Sequence, residues 1–79
     1  MRKQTHPNTS ERIGLTVVEV AELLNVSTRH VWAMATTGRM PAPKRLGRAA
    51  RWERAEIAAW FAAGCPNDEL WQAMKGERQ

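Results

Sequence analysis

The chain has few of the residues that crosslink a fold or ligate a metal. Among its 79 residues there is a single cysteine, Cys65, and there are two histidines, His6 and His30. One cysteine cannot form an internal disulfide, and this set is too small for a structural zinc site. We therefore expect no metal and no cofactor, and a fold that depends on packing alone.

Long apolar runs are also missing. No run approaches the roughly 18 residues that a membrane-spanning helix needs, and the first residues, MRKQTHPNTSER, lack the apolar segment of a signal peptide. We expect a soluble, cytoplasmic protein with no membrane partner. So short a chain buries little interior, and no serine, acid or second histidine is spaced to form a catalytic group with His30 or Cys65. The prediction is a protein that is not an enzyme and has no small-molecule substrate.

Tryptophan, in contrast, is frequent. The chain has four tryptophans but one phenylalanine and no tyrosine. Because large rings give a small core the most buried area per residue, we assign most of the tryptophans to the core.

Positive charge is concentrated in the middle of the chain. Between residues 29 and 54 seven basic residues face one acid, Glu53, an excess of six charges where the whole chain has a net charge of +4. Such a block is expected of a phosphate-binding surface, although a solvated face has a similar composition.

Two short helices joined by a tight turn are predicted next to this block. Thr16, followed three residues later by a glutamate, starts the first helix with a capping box, and the apolar spacing continues to Leu24. Ser27 caps a second helix at residues 28–37, which Gly38 ends. Helices this close must cross steeply, as in a helix-turn-helix, where the second helix enters the DNA major groove.

The second helix has one side suited to reading bases. Arg29 can form two hydrogen bonds to guanine, and Ala33 is small enough to contact a thymine methyl group. Solvent-facing threonines and an arginine also occur on many helices that bind nothing. The predicted base-reading residues are Thr28, Arg29, Trp32, Ala33 and Thr36.

A β-hairpin is predicted over residues 44–52, because apolar and basic residues alternate in KRLGRAARW. In this prediction Leu46 and Trp52 point inward, Arg45 and Arg51 lie on the outer face, and Arg48 lies at the tip. The hairpin is either a wing that contacts phosphates or a solvated edge protected by charge. The predicted phosphate-binding residues are Ser27, Arg39, Lys44, Arg45, Arg48 and Arg51.

Two further helices complete the prediction. The third spans residues 54–63, with Ile57, Trp60 and Phe61 on its inner face. The last begins after Asn67 and has an apolar side formed by Leu70, Trp71 and Met74. That side either packs on the body or is a docking face for another protein, which makes an interaction adaptor the alternative function.

The predicted fold is mainly α with a small β-hairpin, a winged helix-turn-helix of three to four short helices and a two-stranded wing. We divide the chain into a flexible arm at 1–13, the DNA-binding domain at 14–64 and a C-terminal helix at 65–79 that packs on or extends the domain.

Two stretches, LTVVEVAELLNVSTRHVWAMATTGRMP and PAPKRLGRAARWERAEIAAWF, resemble the AlpA-like and excisionase-like small helix-turn-helix proteins, which have winged-helix folds related to MerR-type regulators. The resemblance implies sequence-specific binding of double-stranded DNA by a transcriptional regulator or excisionase of a prophage or mobile element. It places the protein at the bacterial nucleoid, with a second copy, a recombinase or RNA polymerase as protein partners. Relatives often have arginine or lysine where Ala33 and Thr36 stand, and tyrosine in place of Trp32.

Overall fold

The computed structural model describes residues 12 to 77, so most of the predicted arm lies outside it. The structure has four helices and a three-stranded antiparallel sheet, the predicted winged helix-turn-helix with a small β wing. No helix in this part of the chain is long and apolar enough to cross a membrane. In chain order the elements are β1 (Gly14–Leu15), α1 (Val17–Leu24), α2 (Thr28–Thr36), β2 (Lys44–Leu46), β3 (Ala49–Glu53), α3 (Arg54–Ala62) and α4 (Asp68–Glu77).

Both helices of the helix-turn-helix begin at the predicted residues, and α2 ends at Thr36, one residue before the predicted end. Thr16 and Glu19 form the capping box of α1, and Ser27 Oγ accepts the His30 N–H at the start of α2. Between the helices Asn25 has a φ of 58°, a left-handed conformation that asparagine tolerates. After α2, Gly38 has a φ of 75°, so the predicted helix stop is confirmed.

The sheet has strand order β1–β3–β2, one strand more than the predicted hairpin. In the hairpin Lys44 pairs with Arg51 and Leu46 with Ala49, which leaves Gly47 and Arg48 as a two-residue turn. Gly47 has a φ of 66°, as such tight turns require. The strand β1, only two residues long, adds to the other edge of β3.

Three tryptophans are central to the core, as predicted. Trp52, Trp60 and Trp71 are each at most 2% exposed, and each indole N–H donates to an internal oxygen. These bonds remove the penalty of burying a polar group. The buried residues of this core are Leu15, Val20, Ala21, Val31, Met40, Trp52, Ile57, Trp60 and Trp71.

Two residues predicted to point inward are exposed instead. Leu46 is 67% exposed because it pairs with Ala49, and residues opposite each other share a face, whereas Trp52 lies on the other face. Phe61 is 59% exposed: Ile57 and Trp60 face the core, and the next position borders an open groove.

The register also corrects the wing arginines. Arg45 pairs with Ala50, so Arg45 lies on the face of the sheet that carries Trp52, and not beside Arg51. The outer face therefore holds Arg51 and Lys44, while Arg45 lies on the face that carries Trp52, whose ring contacts Trp32 of α2.

Candidate nucleic-acid interface

The outer side of α2 is open to solvent. Val31 on the inner side is fully buried, and Met34 and Ala35 are packed against the core. Four of the five predicted base readers lie exposed away from this stripe: Thr28, Arg29, Ala33 and Thr36. The fifth, Trp32, is half-buried.

Trp32 connects α2 to the hairpin formed by β2 and β3. Its ring packs edge-to-face on Trp52 of β3, with the ring centroids 5.3 Å apart. Aromatic pairs in this arrangement are directional, so the contact sets the position of α2 relative to the hairpin. The indole N–H of Trp32 has no acceptor among residues 12–77, unlike those of the other three tryptophans. Within the described residues, the ring of Trp32 is therefore used in packing while its indole N–H has no bonding partner.

The hydroxyl groups of α2 differ in what they can still bind. Thr36 Oγ1 donates to the Trp32 carbonyl at 2.9 Å, and Thr37 Oγ1 donates to the Ala33 carbonyl at 2.6 Å. Since their protons are in use, these hydroxyls are left to act as acceptors. Ser27 Oγ accepts the His30 N–H at 3.0 Å, which leaves its own proton free to donate.

The basic residues of the wing are not equivalent. Lys44 Nζ lies 4.0 Å from Glu53 Oε1, and Arg51 Nη1 donates to the Ala50 carbonyl at 2.9 Å. Arg48 lies at the exposed tip, and Arg45 is exposed on the face that carries Trp52. Four arginines are exposed and make no ion pair within the described part of the chain: Arg29, Arg39, Arg45 and Arg48.

The exposed side of α2 has a flank that the sequence prediction left out. His30 and Thr37 are exposed next to the predicted readers, and the turn of an α-helix places them on the side away from the wing. Arg39 lies on this same flank, where it lines a shallow apolar groove of about 380 Å³ with His30 and Asn67. Plotting every polar residue of α2 by helical position, rather than only those opposite the core, would have included His30.

The predicted protein-docking side of α4 is not one open surface. Trp71 is 2% exposed, and Met74 packs against the core, while Leu70 is 52% exposed. Trp71 Nε1 donates to Glu56 Oε2 at 3.0 Å, and Lys75 pairs with the same oxygen. Most of this side is thus used inside the molecule.

These features fit one family. A family model described as a helix-turn-helix domain matches residues 15–65, from β1 through the turn after α3. The chain belongs to the helix-turn-helix domain family. It is therefore a DNA-binding helix-turn-helix protein, and α4 lies beyond the matched region. A search of curated proteins and a search of solved structures each found no match.

Proposed function

We propose that this helix-turn-helix protein binds double-stranded DNA sequence-specifically, as a transcriptional regulator or excisionase of a prophage or mobile element. In this proposal α2 enters the major groove and the hairpin 44–52 contacts the phosphate backbone. The observation that carries it is that the open side of α2 and the wing arginines, Arg45 and Arg48, which make no ion pair within residues 12–77, lie on two elements joined by the Trp32–Trp52 contact.

The chemistry of the exposed residues divides into reading and positioning. Arg29 can donate two hydrogen bonds to one guanine, and Ala33 can contact a thymine methyl. Thr36, whose proton is used internally, is suited to accept from the amino group of adenine or cytosine. Arg45 and Arg48 have no internal ion-pair partner among the described residues, so they are available to hold the wing on phosphates.

A single module of this size reads only a few base pairs. Since each base pair discriminates by about 1–3 kcal/mol, useful specificity in a genome requires more than one reading unit. We propose that the protein acts at the bacterial nucleoid with a second copy, at repeated sites, or with a recombinase or RNA polymerase as partner.

The test is selection of bound duplexes from a random DNA pool at two salt concentrations. Enrichment of a motif, with nonspecific retention that falls at the higher salt, is the expected result. Retention without a motif would contradict base reading and leave only backbone binding. No retention at either salt would contradict DNA binding and favour an adaptor that uses the exposed surface around Leu70.

A further inference from the structure

The helix outside the family match is bonded to the end of the recognition helix. The Asp68 N–H, at the start of α4, donates to the Gly38 carbonyl at 2.9 Å. Gly38 is also the residue that ends α2, and the next N–H, that of Arg39, bonds back to Met34 at 2.8 Å. The tight turn at Gly38 thus ends α2 and accepts a backbone hydrogen bond from α4.

The body of α4 is held against α3. Trp71 is buried, and its indole N–H and the Lys75 ammonium both reach Glu56 Oε2. The connecting segment is fixed as well, since Trp60 Nε1 donates to the Pro66 carbonyl at 2.7 Å. The α4 N-terminus therefore meets the Gly38 turn from a position that the core fixes.

We infer that α4 is a positioning element for the recognition helix. The Asp68–Gly38 hydrogen bond fixes the distance between the base edges and the C-terminal half of α2, which carries Ala33 and Thr36. This positioning role rests on the proposed function. Base contacts are sensitive to such a constraint, because hydrogen bonds weaken steeply outside a narrow range of distance and angle. The wing contacts α2 through the rings of Trp32 and Trp52 and has no hydrogen bond to α4 among the described residues, so we expect its phosphate contacts to change less than the base contacts when α4 shifts.

The coupling between the docking of α4 and the binding of DNA must act in both directions. If docking of α4 favours the reading position of α2, binding of the correct DNA must stabilise the docking of α4 to the same extent. Random DNA, held mainly by the wing, has no such effect.

A proline substitution removes the single hydrogen bond at little cost to α4. Asn67 caps α4 through its side chain, which accepts the Leu70 N–H, so Asp68 is the first helical residue, where proline is well tolerated. Asp68→Pro deletes the N–H that reaches Gly38 and places the ring Cδ where the hydrogen was, so the Gly38 carbonyl, 2.9 Å from this nitrogen, must also move away. Asp68→Ala is the matched control, because it keeps this N–H and loses the side-chain contact with Gln72 and one negative charge in the first turn of α4.

The affinity of each protein variant is measured for the DNA motif found by duplex selection, for duplexes with single base-pair changes in that motif, and for random duplex. Circular dichroism verifies that each protein is folded. We expect Asp68→Pro to lower discrimination at the base pairs under Ala33 and Thr36 by about two- to tenfold, the equivalent of one net hydrogen bond. Its affinity for random duplex and its salt dependence should stay at the wild-type level, and Asp68→Ala should discriminate as wild type does.

Equal discrimination by the two variants would overturn the positioning role while leaving the proposed function intact. A wild-type protein with no base preference would overturn the proposed function, and this inference with it. If Asp68→Pro does not fold, amide hydrogen exchange of the wild-type protein decides. Slower exchange across α4 with the selected site than with random duplex supports the role, and identical exchange overturns it.

Discussion

At the scale of single residues, Arg29 separates base reading from backbone contact. It is exposed in the first turn of α2 and makes no ion pair among residues 12–77. We expect Arg29→Ala to lower the preference at one base pair by about 1–3 kcal/mol and to leave the other positions of the site unchanged. Binding measured on a panel of duplexes with single base-pair changes tests this.

Arg48→Ala is the control for that substitution. Arg48 lies at the tip of the wing, so its loss should weaken binding to all duplexes to a similar degree. If Arg29→Ala weakens specific and random duplexes equally, Arg29 does not read a base.

Glu56 connects stability to pH. Burial raises the pKa of its carboxyl, but hydrogen bonds from Lys75 and Trp71 and the nearby positive charges outweigh burial and hold the pKa below its ordinary 4.5. A carboxyl whose pKa is lower in the folded state adds stability above its unfolded pKa, and this stability is lost as the pH falls through the folded value. We expect the advantage of wild type over Glu56→Gln in free energy of unfolding to be full at pH 7 and to shrink below about pH 4.5.

Urea unfolding of both proteins between pH 7 and pH 3 measures this difference. Other carboxylates titrate in both proteins and cancel in the comparison. A difference that stays constant over this range would show that Glu56 stabilises α4 by its shape and not by its charge.

At the scale of elements, the wing depends on its turn. Gly47 has a φ of 66°, and an added Cβ would meet no atom within 4 Å, so the cost of a side chain there comes from the backbone conformation alone. We expect Gly47→Ala to destabilise the folded protein by roughly 1–2 kcal/mol. It should also weaken binding to all duplexes, because the turn presents Arg48.

Gly76→Ala provides the opposite case. Gly76 lies in α4 without a positive φ, and an added Cβ there also meets no atom within 4 Å. Alanine should therefore stabilise by roughly 0.5–1 kcal/mol, and thermal unfolding measures both variants. A Gly47→Ala protein as stable as wild type would contradict the role of this turn.

Signals confined to a few neighbouring residues were readable from the sequence. The capping box at Thr16, the cap at Ser27 and the stop at Gly38 are all confirmed, since each depends on groups within one helical turn. The strand β1 was missed because Gly14–Leu15 is too short to show an alternating pattern, and only pairing with a distant strand defines it.

The errors in the hairpin arose because strand register decides which face each residue occupies. Alternation alone placed Leu46 with Trp52, but the two-residue turn at Gly47 and Arg48 fixes pairing so that Leu46 shares a face with Arg51. For the candidate site, the outer side of α2 followed from helical spacing. The internal bonds of Thr36 depend on side-chain conformations that no sequence pattern encodes, and so does the lack of an acceptor for the Trp32 indole N–H within the described part of the chain.

At the scale of the whole molecule, charge is unevenly divided. Residues 29–54 carry an excess of six positive charges and the whole chain a net charge of +4, so the rest of the chain is negative by two. Such a distribution attracts the basic side toward DNA and makes association dependent on salt.

The salt dependence counts the contacts made on binding. If five basic residues around the interface neutralise phosphates, the slope of log affinity against log salt is about −4.5. These five are Arg39, Lys44, Arg45, Arg48 and Arg51. If Lys44 stays with Glu53 and Arg51 with the Ala50 carbonyl, only three act and the slope is about −2.7.

Titrations of random duplex at several salt concentrations distinguish these cases, and we expect the steeper slope, because DNA phosphates compete well with a 4.0 Å exposed ion pair. The double variant Lys44→Ala, Arg51→Ala should then bring the slope to about −2.7, since each lost contact removes about 0.9. A double variant with an unchanged slope would place both residues off the DNA. A flat dependence in the wild type would contradict phosphate binding by the wing altogether.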